Sequence, residues 1–190
     1  FLGRLKWVKR DSCHFRQDTL PPGTQPELAV TRHYVPEGPP NTVANGMVGA
    51  SVEVDIETGF VSIDSLWMVD DCGRVVNPLL VDEQLRGAVI QGIGGALFEE
   101  FTYDDAGQPL SSTFADYIMP GPTEIPAPDI LLTEDAPSPL NPLGIKGAGE
   151  AGITGVGAAI AAAIDDAIRQ PGAITRLPVT PQRLKRILDG

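Results

Sequence analysis

From Val48 onwards, apolar residues alternate with glycine or polar residues through the segment 47–56. The apolar positions of this segment are Val48, Ala50, Val52, Val54 and Ile56. A period of two is typical of a strand that buries one face. The Glu-Thr-Gly sequence at 57–59 predicts a tight turn, and the apolar residues of 60–69 predict a second strand that pairs with the first as a hairpin.

Two longer segments repeat their apolar residues at steps of three and four, which is the period of an amphipathic helix. The first predicted helix covers residues 79–102 and the second covers residues 154–169. The first helix also contains several glycines, namely Gly87, Gly92, Gly94 and Gly95. Each glycine costs a helix about 1 kcal/mol relative to alanine. We therefore expect another backbone or a ligand to lie close against this helix.

The remaining elements are short. Residues 130–133 predict a strand, and Thr180 followed by Pro181 predicts the start of a last helix, with Thr180 as the N-cap. Residues 1–40 begin with clustered positive charge and continue with proline-rich loops, so they are predicted to be a lead-in or linker to a folded part at 41–190. The fold class is predicted as α+β, with a β-hairpin, short strands and two main helices.

Charge and composition exclude several functions. The 190 residues carry a net charge of −11 and only 6% aromatic residues, so the chain is not expected to bind nucleic acid by phosphate contacts or by base stacking. No apolar run reaches the ~20 residues of a membrane span, and the first residues do not resemble a signal peptide. A cytoplasmic location is expected. The cysteines and histidines (Cys13, Cys72, His14 and His33) lack the spacing of metal ligands, so no residue is predicted to bind a metal directly.

Residues 142–157 place a single carboxylate, Glu150, among glycines directly before the second predicted helix. A lone acid in such a loop can serve as a general base, but a residue that favours the helix dipole is the simpler interpretation from the residues alone. Gly147, Gly149 and Gly152 also match the spacing of a dinucleotide-binding fingerprint. That fingerprint requires a buried strand before it, and the Asn-Pro-Leu-Gly sequence at 141–144 argues against one.

A second polar candidate is Gln91, which lies among the glycines of the first helix and carries both donors and an acceptor. An exposed helical glutamine is the simpler interpretation. Asp70, Asp71 and Arg74 are expected to form a structural cluster rather than a catalytic one. Cys72 is expected to be a small buried side chain.

Four segments together resemble one protein family. They are residues 52–78, 84–104, 113–120 and 143–168. In order and spacing they are similar to the C-terminal portion of the molybdenum hydroxylases of the xanthine oxidase and aldehyde oxidase type. The resemblance covers roughly residues 30–188, and it is closest to the molybdenum-binding large subunits of bacterial enzymes like aerobic carbon monoxide dehydrogenase. Residues 41–190 would accordingly be the C-terminal part of a larger molybdopterin-binding domain.

This resemblance implies roles for particular residues. Glu150 corresponds to the family's catalytic glutamate, which acts as the general base, and Gln91 corresponds to its pterin-contacting glutamine. Further cofactor contacts are implied for the loop residues Lys146, Gly147, Ala148 and Gly149. The implied cofactor is molybdopterin with molybdenum, as the cytosine dinucleotide, and the implied reaction hydroxylates an aldehyde, an N-heterocycle or carbon monoxide with oxygen from water.

The resemblance also implies partners. FAD and [2Fe-2S] clusters would lie on partner subunits, and a chain carrying the upstream molybdenum-subunit segments would complete the site. Alternatively, the chain is a non-catalytic fragment or assembly module of the same fold, or a nucleotide-binding module that uses the 147–152 glycines. The substrate itself is not determined by these residues.

Overall fold

The computed structural model of the chain describes Pro22 and residues 42–190. The predicted lead-in at 1–40 therefore lies outside the described residues apart from Pro22, and so do Cys13, His14 and His33. Among the helices in the described part of the chain, none combines the length and the apolar character of a bilayer-crossing segment.

The predicted hairpin is confirmed. Strands β1 (Asn45–Val54) and β2 (Val61–Asp71) pair antiparallel, with an irregularity in register between Ser51 and Val52. The first strand ends before Ile56, which lies in the turn and is 65% exposed. The prediction placed Ile56 in the strand because its apolar side chain continues the alternation. The side chain of Asp55 ends the strand earlier, since its Oδ1 accepts the N–H of Glu57 at 2.8 Å and closes the turn.

The first predicted helix is α1 (Pro78–Leu97), and its N-cap Asn77 accepts the N–H of Leu80 at 3.3 Å. The helix ends at Leu97 rather than at residue 102 as predicted. The N–H of Glu99 turns back to the carbonyl of Gly94 at 2.8 Å, and the Glu99 carboxylate accepts the Tyr117 hydroxyl at 2.5 Å. These contacts direct the chain away from the helix axis before another turn forms.

The second predicted helix is divided in two. Helix α2 (Ala151–Thr154) begins directly after Glu150, and helix α3 (Val156–Ala167) follows after Gly155. A Cβ at Gly155 would lie 3.0 Å from the side chain of Val48, so the break occurs where the chain passes close to β1. The last helix, α4 (Pro181–Leu188), starts as predicted, with the Thr180 side chain as its N-cap.

Strand β3 (Asp129–Thr133) pairs parallel with β2, which gives a three-stranded sheet in the order β1-β2-β3. The helices cover one face of this sheet. Their packing buries a single apolar core made by β2, α1, α3, Val179 and α4: Ile63, Leu66, Met68, Leu85, Val89, Ile93, Ala96, Leu97, Val156, Ile160, Ile164, Val179 and Leu184. The predicted α+β class, with a hairpin and two main helices, is confirmed.

The close approach predicted for the glycine-rich helix is found at Gly92, but not at Gly87 or Gly95, where an added Cβ would meet no atom within 4 Å. A Cβ at Gly92 would lie 2.7 Å from the Cβ of Val156, and a Cβ at Gly152 would lie 2.7 Å from the carbonyl oxygen of Leu85. Helices α2 and α3 therefore touch α1 at positions where only glycine leaves enough room. This packing sets the position of the residues that precede α2.

Candidate functional site

The glycine-rich loop at 146–150 begins beside the carboxyl end of β2. The N–H of Lys146 donates to the carbonyl of Cys72 at 2.8 Å, and the N–H of Arg74 donates to the carbonyl of Gly144 at 3.0 Å. The loop ends at Glu150, where α2 begins. One end of the loop is thus attached to the sheet and the other end is attached to the helical layer.

The side chain of Lys146 is buried and forms an ion pair with Asp71. Its ammonium lies 3.3 Å from Asp71 Oδ1, and the two side chains are only 4% and 10% exposed. Asp71 also accepts the N–H of Gly73 at 2.8 Å and the N–H of Ala136 at 2.9 Å. The Gly73 hydrogen bond, with those of Ala136 and Lys146, holds the pKa of Asp71 below its usual value. The pair fastens the loop to the sheet.

The expected cluster of Asp70, Asp71 and Arg74 does not form. Arg74 instead pairs with Glu134 at 3.3 Å, in an exposed position. The three residues are close in sequence, but successive side chains on a strand point to opposite faces. Asp71 therefore meets the loop, whereas Asp70 points into the helix-covered face. The expectation that Cys72 is buried is confirmed, since it is 3% exposed and a free thiol.

The backbone of Glu150 is fixed, whereas its side chain is exposed and makes no capping hydrogen bond to α2. The carbonyl of Gly149 accepts the side-chain amide of Gln84, on α1, at 3.0 Å. The carbonyl of Glu150 itself accepts the hydroxyl of Thr154 at 3.0 Å. The backbone that carries this carboxylate is therefore held in place, while the carboxylate itself is exposed to a ligand. A general base needs both properties.

Glu150 borders a cavity of about 530 Å³ between the loop, the start of β1 and the end of β2. Its size is within the range of small-molecule sites. The lining residues are Ala44, Asn45, Gly46, Met47, Val48, Met68, Asp70, Gly147, Gly149, Glu150, Ala151, Thr154 and Gly155. The wall is mostly apolar or glycine backbone, and it includes two carboxyl groups.

Asp70 is the second carboxyl group, and its environment is unusual. The side chain is fully buried, and neither carboxyl oxygen has a hydrogen-bond partner among the described residues. Burial raises the pKa of Asp70 above its usual value, and the charge of neighbouring Asp71 raises it further. Buried polar groups in folded proteins nearly always have partners. The unpartnered carboxyl group of Asp70, in the wall of this cavity, is therefore a candidate contact for a polar ligand.

We expect Asp70→Asn to stabilise the cofactor-free chain increasingly as the pH rises. The raised pKa means that folding favours the protonated acid. Its contribution is full below the unfolded-state pKa of ~3.9 and is lost as the pH rises through the folded-state pKa. Asn does not titrate and avoids this loss. Urea unfolding of both proteins between about pH 4 and about pH 8 would measure the difference.

Asp71→Asn provides a control with the opposite slope. Because the pKa of Asp71 is lowered, its contribution is present above the unfolded-state pKa and disappears as the pH falls through the folded-state pKa. The Asp71 variant should therefore lose stability relative to the parent as the pH rises. If the free energies of unfolding of the parent and of the Asp70 variant changed with pH in the same way, the raised pKa of Asp70 would be contradicted.

Gln91 lies on the exposed face of α1 and does not border the cavity. Gly87 and Gly95 lie one helical turn before and after it, and a Cβ added to either would meet no atom within 4 Å. The three residues form an exposed strip along α1 with the Gln91 amide at its centre. Such a strip has room for a planar ligand, and the amide can pair with a polar edge of that ligand.

The residues predicted for the site occupy three environments. Glu150, Gly147 and Gly149 border the cavity, while Lys146 and Ala148 lie in the same loop without lining it. Added Cβ atoms at Gly147 and Gly149 would meet nothing within 4 Å, so both backbones are open to a ligand. Gln91 belongs to the separate strip on α1. The structure thus brings together the loop residues, but not Gln91.

Sequence reasoning missed Asp70 and Gln84 as site residues. Asp70 had a signal, because it continues the buried row of Leu66 and Met68 at a position where the alternation requires an apolar residue. A charged residue that breaks the pattern at such a position is expected at functional or strained sites. No sequence pattern pointed to Gln84, because its hydrogen-bond partner Gly149 is 65 positions away.

The dinucleotide fingerprint lacks its structural context here. The residues directly before Gly147 form turns and an isolated bridge between Ile145 and Gly73, instead of a buried strand. The third glycine of the motif, Gly152, packs against α1 and is not open to a phosphate. Within residues 42–190, no group of three or more His, Cys, Asp or Glu side chains could hold a metal ion.

The chain is similar to subunits of several bacterial oxidoreductases. It is 49% identical over 139 residues to the 6-hydroxypseudooxynicotine dehydrogenase complex subunit gamma of Paenarthrobacter nicotinovorans, covering 73% of this chain and 18% of the relative. It is 36% identical over 171 residues to the nicotine 6-hydroxylase large subunit of the same organism, covering 90% and 21%. The chain thus spans about a fifth of the length of these curated relatives.

Solved structures give the same result. The chain matches quinoline 2-oxidoreductase from Pseudomonas putida 86 with a TM-score of 0.72 and 40% identity, over 77% of this chain and 19% of that one. Carbon monoxide dehydrogenase from Oligotropha carboxidovorans matches with a TM-score of 0.74 and 30% identity, over 80% and 19%. At these identities the likeness extends beyond the fold.

A family model described as the molybdopterin cofactor-binding domain matches residues 6–126, which is more than half of the chain. The four sequence segments, the fold and the relatives agree with this match. The resemblance to the molybdenum hydroxylases is therefore confirmed, and the chain belongs to the molybdopterin cofactor-binding domain family.

Proposed function

We propose that this chain supplies the general base and part of the cofactor-binding surface of a molybdenum hydroxylase. The observation that carries the proposal is Glu150, an exposed carboxylate with a fixed backbone at the edge of a 530 Å³ cavity. Membership of the family supports the proposal. Relatives named as a nicotine 6-hydroxylase and a carbon monoxide dehydrogenase support the reaction class.

The residues fit a large planar cofactor with polar edges. Asp70 leaves a buried carboxyl group without a partner, and the open backbones of Gly147 and Gly149 expose peptide groups beside it. The strip around Gln91 offers an exposed amide between two glycines. We propose that Gln91, Asp70 and the loop from Lys146 to Gly149 hold the molybdopterin, as its cytosine dinucleotide, with Lys146 acting through its backbone because its ammonium is paired with Asp71.

The base acts on the oxygen nucleophile. Hydroxylation joins a water-derived oxygen to a substrate carbon and releases protons and an electron pair. Glu150 accepts the proton of the attacking hydroxyl, which increases the nucleophile's negative charge as it approaches the substrate. When bound, the molybdenum cofactor accepts the electron pair. Met47, Val48 and Met68 contribute apolar side chains to the wall of the cavity that Glu150 borders.

The proposed reaction releases electrons, so it needs partner subunits that accept them, and it needs a substrate that can be hydroxylated. We propose iron–sulfur and FAD subunits that take the electrons onward, a cytoplasmic location, and a covering segment that supplies the remaining cofactor contacts. One relative is named as a subunit of a dehydrogenase complex, which supports a multi-subunit arrangement. The substrate is proposed to be an electron-poor carbon of an aldehyde, an N-heterocycle or carbon monoxide.

The test uses the assembled enzyme that contains this chain. Molybdenum and pterin content are measured per chain, and each substrate class is then oxidised in isotopically labelled water. We expect about one cofactor per chain and labelled oxygen in the product of one substrate class. A full cofactor content without any product would favour an assembly module, and affinity for NAD or ATP without molybdenum would favour a nucleotide-binding module.

Replacing Gln91 with Ala is expected to lower the cofactor content together with activity. The change removes the polar group at the centre of the strip on α1, while Glu150 and its loop remain intact. Loss of one hydrogen bond to an uncharged group costs ~0.5–1.5 kcal/mol, so we expect cofactor retention to be weaker by about twofold to about thirteenfold. Fluorescence of the released pterin after gel filtration would measure it. Undiminished pterin with normal activity would contradict the role of Gln91.

A further inference from the structure

A side chain outside the predicted site controls the peptide before the base. Nε2 of Gln84, on α1, donates to the carbonyl of Gly149 at 3.0 Å. This carbonyl and the N–H of Glu150 belong to the same planar peptide unit. A hydrogen bond that fixes the direction of the carbonyl therefore also fixes the plane of the peptide unit between Gly149 and Glu150.

The peptide after Glu150 is held as well. Its carbonyl accepts the hydroxyl of Thr154 at 3.0 Å and lies 3.3 Å from the N–H of Ile153. The two peptide planes that flank Glu150 are therefore both restrained, one by α1 and one by α2. With both planes fixed, the remaining freedom of the residue is in its side-chain rotamers.

The loop needs this restraint because its own sequence provides little. Gly147 and Gly149 have the broadest backbone freedom of any residue type, and added Cβ atoms there would meet no neighbour within 4 Å. A catalytic group has to be held to ~0.5 Å, and a displacement of about 1 Å can lower a rate by about a hundredfold. A contact from a rigid helix to the peptide of Glu150 meets this requirement.

Helix α1 also carries Gln91, seven residues after Gln84, which is about 10 Å along the helix axis. Gln91 is the proposed pterin contact, so one rigid element would touch both the cofactor and the loop of the base. We propose that Gln84 is a positioning residue that fixes Glu150 relative to the cofactor. This inference rests on the proposed function of Glu150, and it adds a residue for which the sequence pattern gave no role.

The decisive variant is Gln84→Met in the assembled enzyme, because Met keeps the length and the helix propensity of Gln but cannot donate. We expect kcat to fall about tenfold to a hundredfold, with KM and molybdenum content unchanged. Glu83→Ala is the matched control, since Glu83 is the exposed neighbour on α1. It should leave kcat near that of the parent. Thr154→Val, which removes the hydroxyl on the other peptide, should reproduce the loss of kcat.

A double-mutant cycle separates positioning from a general structural effect. In a Glu150→Gln background, Gln84→Met should cause no further loss of rate, because the group it positions is already absent. A normal kcat for Gln84→Met, a loss that persists in the Glu150→Gln background, or a fall in cofactor content proportional to the fall in kcat would each overturn the inference. Normal turnover of Glu150→Gln alone would overturn the proposed function instead.

Discussion

Replacing Glu150 with Gln is expected to lower turnover by ~10²–10⁴ while molybdenum and pterin content remain at the parent level. Gln preserves the size of Glu and the backbone contacts to Gln84 and Thr154, but it cannot accept a proton from the attacking hydroxyl. Because the side chain is exposed and caps nothing, the change should not affect folding. Steady-state kinetics with elemental analysis of the same sample would measure both quantities.

The control for this experiment is Glu57→Gln. Glu57 is exposed in the hairpin turn, and its replacement removes the same charge without touching the cavity. It should leave turnover unchanged. If Glu150→Gln kept near-parental turnover at full cofactor occupancy, Glu150 would only be a residue at the start of α2 that favours the helix dipole.

Replacing Gly152 with Ala is expected to destabilise the chain by ~1–3 kcal/mol. The new Cβ would lie 2.7 Å from the carbonyl oxygen of Leu85 and 3.0 Å from the N of Val89, and both are backbone atoms of α1 that cannot move aside alone. Helix α2 would have to shift, and Glu150 would shift with it. Urea unfolding of the variant and the parent would measure the change in the free energy of unfolding.

Gly87→Ala is the matched substitution in open space. A Cβ at Gly87 would meet no atom within 4 Å, so the change should be neutral or stabilising by up to ~1 kcal/mol through helix propensity. The two variants introduce the same methyl group, and only the packing differs. Equal stability of both would show that α2 is not held tightly against α1.

The sequence predicts those parts of the fold that depend on local periodicity. The alternation around Val52 predicted the hairpin, and the apolar steps through Leu85 and Ile93 predicted α1, because one buried face is enough to select each element. The end of α1 could not be predicted in this way. It depends on Tyr117 and on Arg183, which holds Glu100 at 2.5 Å from 83 positions away.

The same distinction holds for the candidate site. Glu150 was found because a lone acid among glycines is visible in the sequence, and the family resemblance then gave it a role. Thr154 holds Glu150 from within α2, but the contacts from α1 and β2 to its loop are distant in sequence, so neither Gln84 nor the pairing of Lys146 with Asp71 could be predicted from spacing. The position of Asp70 in a buried row was visible, but the absence of a partner is a property of the packed structure alone.

The long-range anchoring of the loop has a consequence for the order of folding. The contact from Gln84 to Gly149 joins residues 65 positions apart, and the ion pair of Asp71 with Lys146 joins residues still farther apart. Closing chain segments of this length costs more entropy than forming a hairpin or a helix from neighbouring residues. The β1–β2 hairpin and α1 can therefore form first, and the segment bearing Glu150 docks afterwards. A cofactor that reaches α1 before this docking would meet the loop of Glu150 only as the segment docks, so that completion of the site and the last folding step would coincide.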